Sequence, residues 1–161
     1  SNLRRRMDER GLDITLVTAS YKSSMAGSEV LLSEPIVWAG AKGGCAHMRE
    51  PLPVSLWEEG CAWRAGAVEA LGREGRNYRV AYMSAHTAGQ RSAIMADLAV
   101  APLPKSFLGT DMVELTAKDG LPEIGNYSLG MYVAPDADAP VHAAADHIRA
   151  SFETFRETGK F

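Results

Sequence analysis

The sequence predicts an α/β fold, because short runs rich in β-branched and apolar residues alternate with runs of helical periodicity along most of the chain. Such alternation is typical of sheets in which most strands run parallel and are connected by helices. The 161 residues, of which 46% are hydrophobic, are enough to bury a sizeable core in one domain or in two small lobes. This composition excludes a disordered or fibrous chain.

The first third of the chain is predicted to contain two extended segments. Residues 12–18 form a short β-rich run directly after Gly11, which is expected to end a helix, so they are predicted to be a strand. Residues 29–39 form a second extended segment, interrupted by Pro35, which lacks an N–H and therefore suits a sheet edge or a crossing between lobes. Residues 40–55 are rich in glycine and proline and are predicted to form a loop.

The rest of the chain is predicted to alternate between helices and strands. In chain order these are a helix over 61–74, a strand over 78–84, a helix over 87–96, strands over 98–103, 112–117 and 127–134, and a helix over 141–157. The last helix is expected to place Ala144, Ile148, Phe152 and Phe155 on one apolar side. Asp97 stands in a turn where glycine would be easiest, and we expect a left-handed conformation there, which Asp tolerates better than most residues.

Composition and charge limit the possible partners. The net charge is −3, and Lys and Arg are scattered except at 4–6, so no broad basic face for DNA is expected. The two cysteines, Cys45 and Cys61, are too few for a disulfide framework and favour a reducing, cytoplasmic compartment. The Cys-x-His pair at 45–47 lacks the further ligands of a zinc site, so neither a metal nor another cofactor is expected. No apolar run reaches the length of a membrane helix.

Two helix starts carry the strongest functional signal. One lies at Gly60–Arg64, and the other follows the strand over 78–84, at Ser84–Thr87. The first backbone N–H groups of a helix have no partner within the helix, so two such starts that face one crevice can hold a small anion.

Four stretches of the chain share their order and spacing with a known family. They are Gly11–Val17, Leu32–Trp38, Gly60–Arg64 and Ala96–Pro104. Together they resemble the effector-binding domain of LysR-type transcriptional regulators over nearly the whole chain, although no single stretch is diagnostic. Two features depart from the family pattern. Asp97 stands where many members have glycine, and Lys42–His47 stands where the family often has a histidine-proline turn.

The resemblance implies an α/β domain of two lobes with mixed sheets, similar to the type 2 periplasmic binding proteins. Lobe one is expected to comprise residues 1–38 and 131–161, and lobe two residues 39–130. The resemblance also implies an N-terminal helix-turn-helix, through which homodimers or homotetramers reach DNA. By the same resemblance we expect the 161 residues to lack that segment and the first part of lobe one. Because the strand over 12–18 would then lack its neighbours, we expect the 161-residue chain on its own to be poorly soluble or to self-associate abnormally.

The resemblance places the effector in a cleft between the lobes, where the candidate contacts are Thr18, Ser20, Cys61, Ala62, Trp63, Arg64, Ser84, His86 and Thr87. Cys61 could be a thiolate nucleophile, but no His/Asp constellation accompanies it, so a small half-buried cysteine is favoured. Trp63 could line the site or pack in the core, and Arg64 could clamp a carboxylate or lie exposed. One of Ser84, His86 and Thr87 is expected to cap the helix, and Thr18 and Ser20 could equally belong to an ordinary polar loop.

The sequence therefore predicts a non-catalytic sensor in which a small anionic effector, preferably a carboxylate, biases the closure of two lobes. One alternative is a solute-binding protein of a transporter, which has the same architecture. Another is a dehydratase-like enzyme, whose general acid would be one of Glu34, Glu58, Glu59 and His86. None of these four residues forms a recognisable acid–base pair with another.

Overall fold

A computed structural model describes residues 11–20 and 27–159 of the chain, without the side chain of Ser20. The chain divides into two units. Residues up to Ser33 and from Ser128 onward form unit 1, and Glu34–Tyr127 forms unit 2. The lobe boundaries predicted at 38/39 and 130/131 stay predictions. The helix predicted to end at Gly11 lies outside the described residues.

The helices and strands, in chain order, are β1 (Ile14–Ser20), β2 (Glu29–Ala41), β3 (Leu52–Leu56), α1 (Ala62–Arg73), β4 (Tyr78–Met83), α2 (Thr87–Met95), β5 (Ala101–Pro104), β6 (Met112–Leu115), β7 (Gly125–Val133) and α3 (Ala139–Thr158). Every helix and strand predicted after residue 60 is present within a few residues of its expected bounds. Pro35 does not interrupt β2, which continues through it.

The loop predicted over 40–55 was wrong, because it contains β3, all of whose residues are buried. Pro53 and Ser55 direct their backbone nitrogens to the same side of this strand. On that side Pro53 O accepts the N–H of Val100 at 3.0 Å, and the N–H of Ser55 donates to Val100 O at 2.8 Å. Neither of these bonds uses the nitrogen of Pro53. Proline is therefore tolerated at this position inside the strand.

The strands of unit 2 pair in both directions. β3 pairs with β4 in parallel, and Val54 forms a parallel bridge with Val100. β2 pairs antiparallel with β5 and with β6, so that Trp38 lies opposite both Pro102 and Leu115. The prediction of mostly parallel strands, made from the alternation alone, was therefore wrong for β2, whereas the mixed sheets implied by the family resemblance are confirmed. A buried cluster forms the core of this unit and consists of Ala39, Trp57, Ile94, Ala101, Leu103 and Met112.

Unit 1 packs α3 against strand residues. Asp138 caps this helix by accepting the N–H of Val141 at 3.1 Å, and Gly159 ends it with φ +68°. The buried cluster consists of Leu31, Met131, Ala145 and Phe152. Ala144, which was predicted on the apolar side, is exposed. Ala145 is buried instead and lies on the same face of the helix as Ile148 and Phe152. None of the helices described is long and apolar enough to cross a membrane.

Candidate functional site

The start of α1 presents backbone N–H groups without partners. Cys61 is the N-cap residue, with φ −75° and ψ 127°, and its side chain makes no capping hydrogen bond. The first amide of the helix with a backbone acceptor is that of Ala65, 3.1 Å from Cys61 O. Among the described residues, the N–H groups of Ala62, Trp63 and Arg64 therefore have no acceptor, and the helix dipole adds partial positive charge there.

The start of α2 is similar. His86 is the N-cap residue, is exposed and makes no side-chain capping bond, and its carbonyl accepts the N–H groups of Gly89 and Gln90 at 3.0 and 3.2 Å. The N–H groups of Thr87 and Ala88 find no acceptor in the described part of the chain. Ser84 Oγ accepts the N–H of His86 at 3.1 Å and so orders the residue before the helix. The expected side-chain cap of the first turn by Ser84, His86 or Thr87 was therefore wrong.

Arg64 connects the start of α1 to the ends of two neighbouring strands. Its Nη1 donates to Trp57 O at 2.9 Å, just past β3, and lies 3.5 Å from Met83 Sδ at the end of β4. Its Nη2 lies 3.9 Å from Glu59, whose side chain is almost fully exposed. Both helices thus begin at the carboxyl ends of parallel strands, which is where α/β proteins place ligands. Arg64 is thus a mostly buried cation that is held by three neighbours, and the alternative of an exposed surface arginine was wrong.

A buried polar network underlies the start of α2. The amide Nε2 of Gln90 donates to Leu56 O at 2.9 Å and to Ser84 O at 2.8 Å, while its Oε1 accepts the hydroxyl of Ser55. Both Gln90 and Ser55 are fully buried. The network fixes the ends of β3 and β4 against α2 and so sets the position of the candidate site. Sequence reasoning missed both residues, since neither belongs to a polar motif.

Trp63 is held in an aromatic cluster. Its ring contacts those of Trp57, Tyr127 and Phe107 edge to face, with centroid distances of 4.9, 5.2 and 6.0 Å. Its indole Nε1 is buried and has no hydrogen-bond partner among the described residues. Trp63 and the half-buried Cys61 both pack against the core of unit 2. The structure therefore confirms the packing interpretation of both residues, and a contact of either with a ligand stays a prediction.

Glu34, one of the acids considered for an enzyme, is engaged in structural hydrogen bonds. Its Oε1 accepts the hydroxyls of Tyr127 and Ser106, both at 2.8 Å, and its Oε2 accepts the N–H of Ser106 at 2.8 Å. Burial and the bond to Glu34 raise the pKa of Tyr127 above its ordinary value. A carboxylate with three hydrogen-bond donors is poorly placed to act as a general acid.

The other residues singled out from the sequence are Thr18 and Ser20, in unit 1, and Asp97, in unit 2. Thr18 and Ser20 belong to β1 of unit 1, not to a loop after that strand, and Thr18 is exposed. Asp97 has φ +48°, which confirms the predicted left-handed turn. In the ranges 11–20 and 27–159, no group of three or more His, Cys, Asp or Glu side chains could hold a metal ion.

Comparison with known proteins gives consistent matches. The family model described as the LysR substrate binding domain matches residues 1–153. The HTH-type transcriptional regulator DgdR of Burkholderia cepacia is 29% identical over 147 residues, which cover 89% of this chain and 49% of DgdR. The chain thus spans about half the length of this relative.

Solved structures share the fold at low sequence identity. The regulatory domain of the HypT M206Q mutant from Salmonella typhimurium has a TM-score of 0.73 at 11% identity, and the match covers 94% of this chain and 80% of that domain. The CcmR regulatory domain of Synechocystis PCC6803 has a TM-score of 0.67 at 16% identity, with coverages of 92% and 77%.

Proposed function

Because this chain belongs to the family of LysR substrate binding domains, we propose that it is the ligand-sensing part of a cytoplasmic, DNA-binding transcriptional regulator. Its effector is a small anion, preferably a carboxylate, that binds at the starts of α1 and α2. The observation that carries this proposal is the row of three backbone N–H groups without acceptors at Ala62, Trp63 and Arg64. Such groups bind anions without any further cation.

Three other features favour an anion at this position. The N–H groups of Thr87 and Ala88 add donors at the second helix start. Arg64 adds positive charge near the first, although its Nη1 is already bonded to Trp57 O. Ser84 and His86 supply polar groups that could select among anions, and Thr18 and Ser20 of unit 1 stay predicted contacts.

The regulatory role follows from the family and from DgdR, which is described as a helix-turn-helix regulator and is twice as long as the matched region. In the full-length protein, a homodimer or homotetramer would bind DNA through an N-terminal helix-turn-helix. The effector would change DNA binding only by its different affinity for two conformations of this domain. Coupling of this kind is typically about 1–3 kcal/mol.

A thermal-shift screen would test the ligand class by comparing organic acids with their matched amides. Bromide and sulfate are suitable inorganic probes, because a HypT regulatory domain is described as bromide-bound and an OxyR2 regulatory domain of Vibrio vulnificus as sulfate-bound. We expect acids to raise the melting temperature and the matched amides to leave it unchanged. Stabilisation by amides or amines alone would show that the anion proposal is wrong.

Ala62→Pro gives a sharper test of the helix start. Proline is tolerated at the first helical position, and Cys61 has the extended conformation that a residue before proline requires. The substitution removes one N–H and leaves the helix in place, so we expect anion affinity to fall about 10-fold or more, the usual effect of a lost hydrogen bond to a charged group. Unchanged affinity in a folded Ala62→Pro variant would place the anion elsewhere.

Cys61→Ala is the matched control. Cys61 packs against the core of unit 2 and caps no N–H, and alanine adds no capping acceptor, so the alanine variant should bind the same acids within a few-fold of the unmodified protein. A turnover activity that disappears in this variant would instead reveal a nucleophilic cysteine, and the domain would then have to be regarded as an enzyme.

A further inference from the structure

The chain passes between the units on two adjacent strands. The chain passes from unit 1 to unit 2 after Ser33, on β2, and returns after Tyr127, on β7. These strands are hydrogen-bonded neighbours in the sheet. Hinges usually involve a few residues at such crossings, so the local stiffness of β2 and β7 is the property of interest here.

Side chains link the two strands at the crossing. On the unit 2 side, the hydroxyl of Tyr127 donates to Glu34 Oε1 at 2.8 Å. On the unit 1 side, Ser128 Oγ and Ser33 Oγ lie 3.3 Å apart. The contact of Glu34 with Tyr127 is the stronger of the two, because hydrogen bonds to a charged acceptor are shorter and roughly twice as strong as neutral ones.

Ser106 extends this contact to a third segment. It lies in the short turn Lys105–Phe107, directly after β5, and donates both its hydroxyl and its N–H to the Glu34 carboxylate. The carboxylate thus gathers donors from β7 and from the turn after β5, while its own backbone belongs to β2. Tyr127 is only 4% exposed, so its hydroxyl would lose a partner at high cost if the strands separated.

We propose that Glu34, Tyr127 and Ser106 form a brace that fixes β2 to β7 where the chain passes between the units, and that this brace sets how easily the two strands bend. The three are positioning residues and need not touch any ligand. Their effect is on the stiffness of β2 and β7 at the crossing, which any bending of these strands has to overcome.

The brace also touches the candidate site. The ring of Tyr127 lies 5.2 Å from that of Trp63, in the first turn of α1. If an anion binds at that turn, as proposed above, any movement of Trp63 is transmitted to the crossing strands by direct ring contact. This second step rests on the proposed function, whereas the brace itself does not.

Hydrogen–deuterium exchange on the ligand-free chain tests the brace. Tyr127→Phe keeps the ring against Trp63 and removes only the hydroxyl. We expect the amides of residues 33–37 and 125–129 to exchange about 10-fold faster, the usual consequence of losing one bond to a charged group, while the amides of β3 keep their rates. Tyr132→Phe, the same substitution farther along β7 in unit 1, is the control and should change neither region.

A double-mutant cycle identifies the partner. Glu34→Met, which offers no oxygen acceptor, should speed exchange in the same two stretches, and the Glu34→Met/Tyr127→Phe variant should exceed the faster single variant by less than 2-fold, because each change removes the bond between Tyr127 and Glu34. Additive effects, unchanged rates at the crossing, or acceleration that extends equally through β3 would each overturn the brace. If a Glu34 variant fails to fold, Ser106→Ala, which removes one hydroxyl, must show the same local pattern at smaller amplitude. These measurements use no effector, so the anion proposal can fail while the brace stands.

Discussion

Replacement of Gln90 by methionine should destabilise unit 2 more than any exposed substitution in the same helix. Methionine has nearly the same length and shape as glutamine, so the packing volume is largely kept. What changes is the set of polar groups that Gln90 satisfies from a fully buried position.

The magnitude follows from which groups lose their partners. Leu56 O keeps a second donor, the N–H of Ser84 at 3.1 Å, so this carbonyl stays paired. Ser84 O loses the Gln90 amide, and the buried hydroxyl of Ser55 loses its acceptor. Each of these two groups costs about 1–3 kcal/mol when it is left without a partner, so the free energy of unfolding should fall by about 2–6 kcal/mol.

Urea denaturation followed by circular dichroism measures this change. The control is Ser92→Ala in the same helix, because the Ser92 hydroxyl is exposed and bonds only to Ala88 O within the helix; it should change stability by less than about 0.5 kcal/mol. The Ser55→Ala/Gln90→Met double variant should lose less than the sum of the two single variants, since no serine hydroxyl is then left unpaired. A loss for Gln90→Met as small as that for Ser92→Ala would refute the argument.

Two further predictions concern charge and backbone packing. Burial raises the pKa of Asp97, but hydrogen bonds from Cys45 and Ala46 and the charge of Arg49 outweigh it, so the pKa lies below its ordinary 3.8. The free energy of unfolding of the unmodified protein should therefore exceed that of Asp97→Asn by a constant amount above pH 3.8. This difference should shrink as the pH is lowered further in an acid denaturation experiment. An advantage that grew on acidification would contradict this sign. Gly89→Ala should destabilise, because the added Cβ would lie 2.7 Å from Ser84 Cβ, whereas Gly72→Ala, with open space around it, should stabilise α1 by about 0.5–1 kcal/mol in thermal unfolding.

The sequence predicted the elements whose signal is local. Periodicity and glycine placement located α1, α2 and α3 to within a few residues, since these signals depend only on neighbours in the chain. β3 was missed because Pro51, just before it, and Pro53, inside it, indicate a loop. The long-range bonds between Val100 and the strand are what show that Pro53 needs no N–H there.

The candidate site divides in the same way. The unpaired N–H groups at the two helix starts could be expected from helix geometry alone. The partners of Arg64, Gln90 and Glu34 could not, because each is defined by an atom far away in sequence, such as Met83 Sδ, Ser55 Oγ or the hydroxyl of Tyr127. A buried glutamine on a short helix looks in sequence like an ordinary solvated residue.

The two features for which the resemblance implied a departure, Asp97 and the segment 42–47, contact each other. Asp97 lies in a left-handed turn, and its carboxylate Oδ1 accepts the N–H groups of Cys45 and Ala46 at 3.1 and 2.9 Å, inside the segment 42–47. Arg49 closes the arrangement by donating to Asp97 Oδ2 at 3.0 Å and to its carbonyl at 2.9 Å. Gly44 fits beside the carboxylate only because it has no Cβ, which would lie 2.5 Å from Asp97 Oδ1. A glycine at 97 would relieve the backbone but leave the amides of Cys45 and Ala46 without their acceptor, so the conformation of this loop depends on the aspartate.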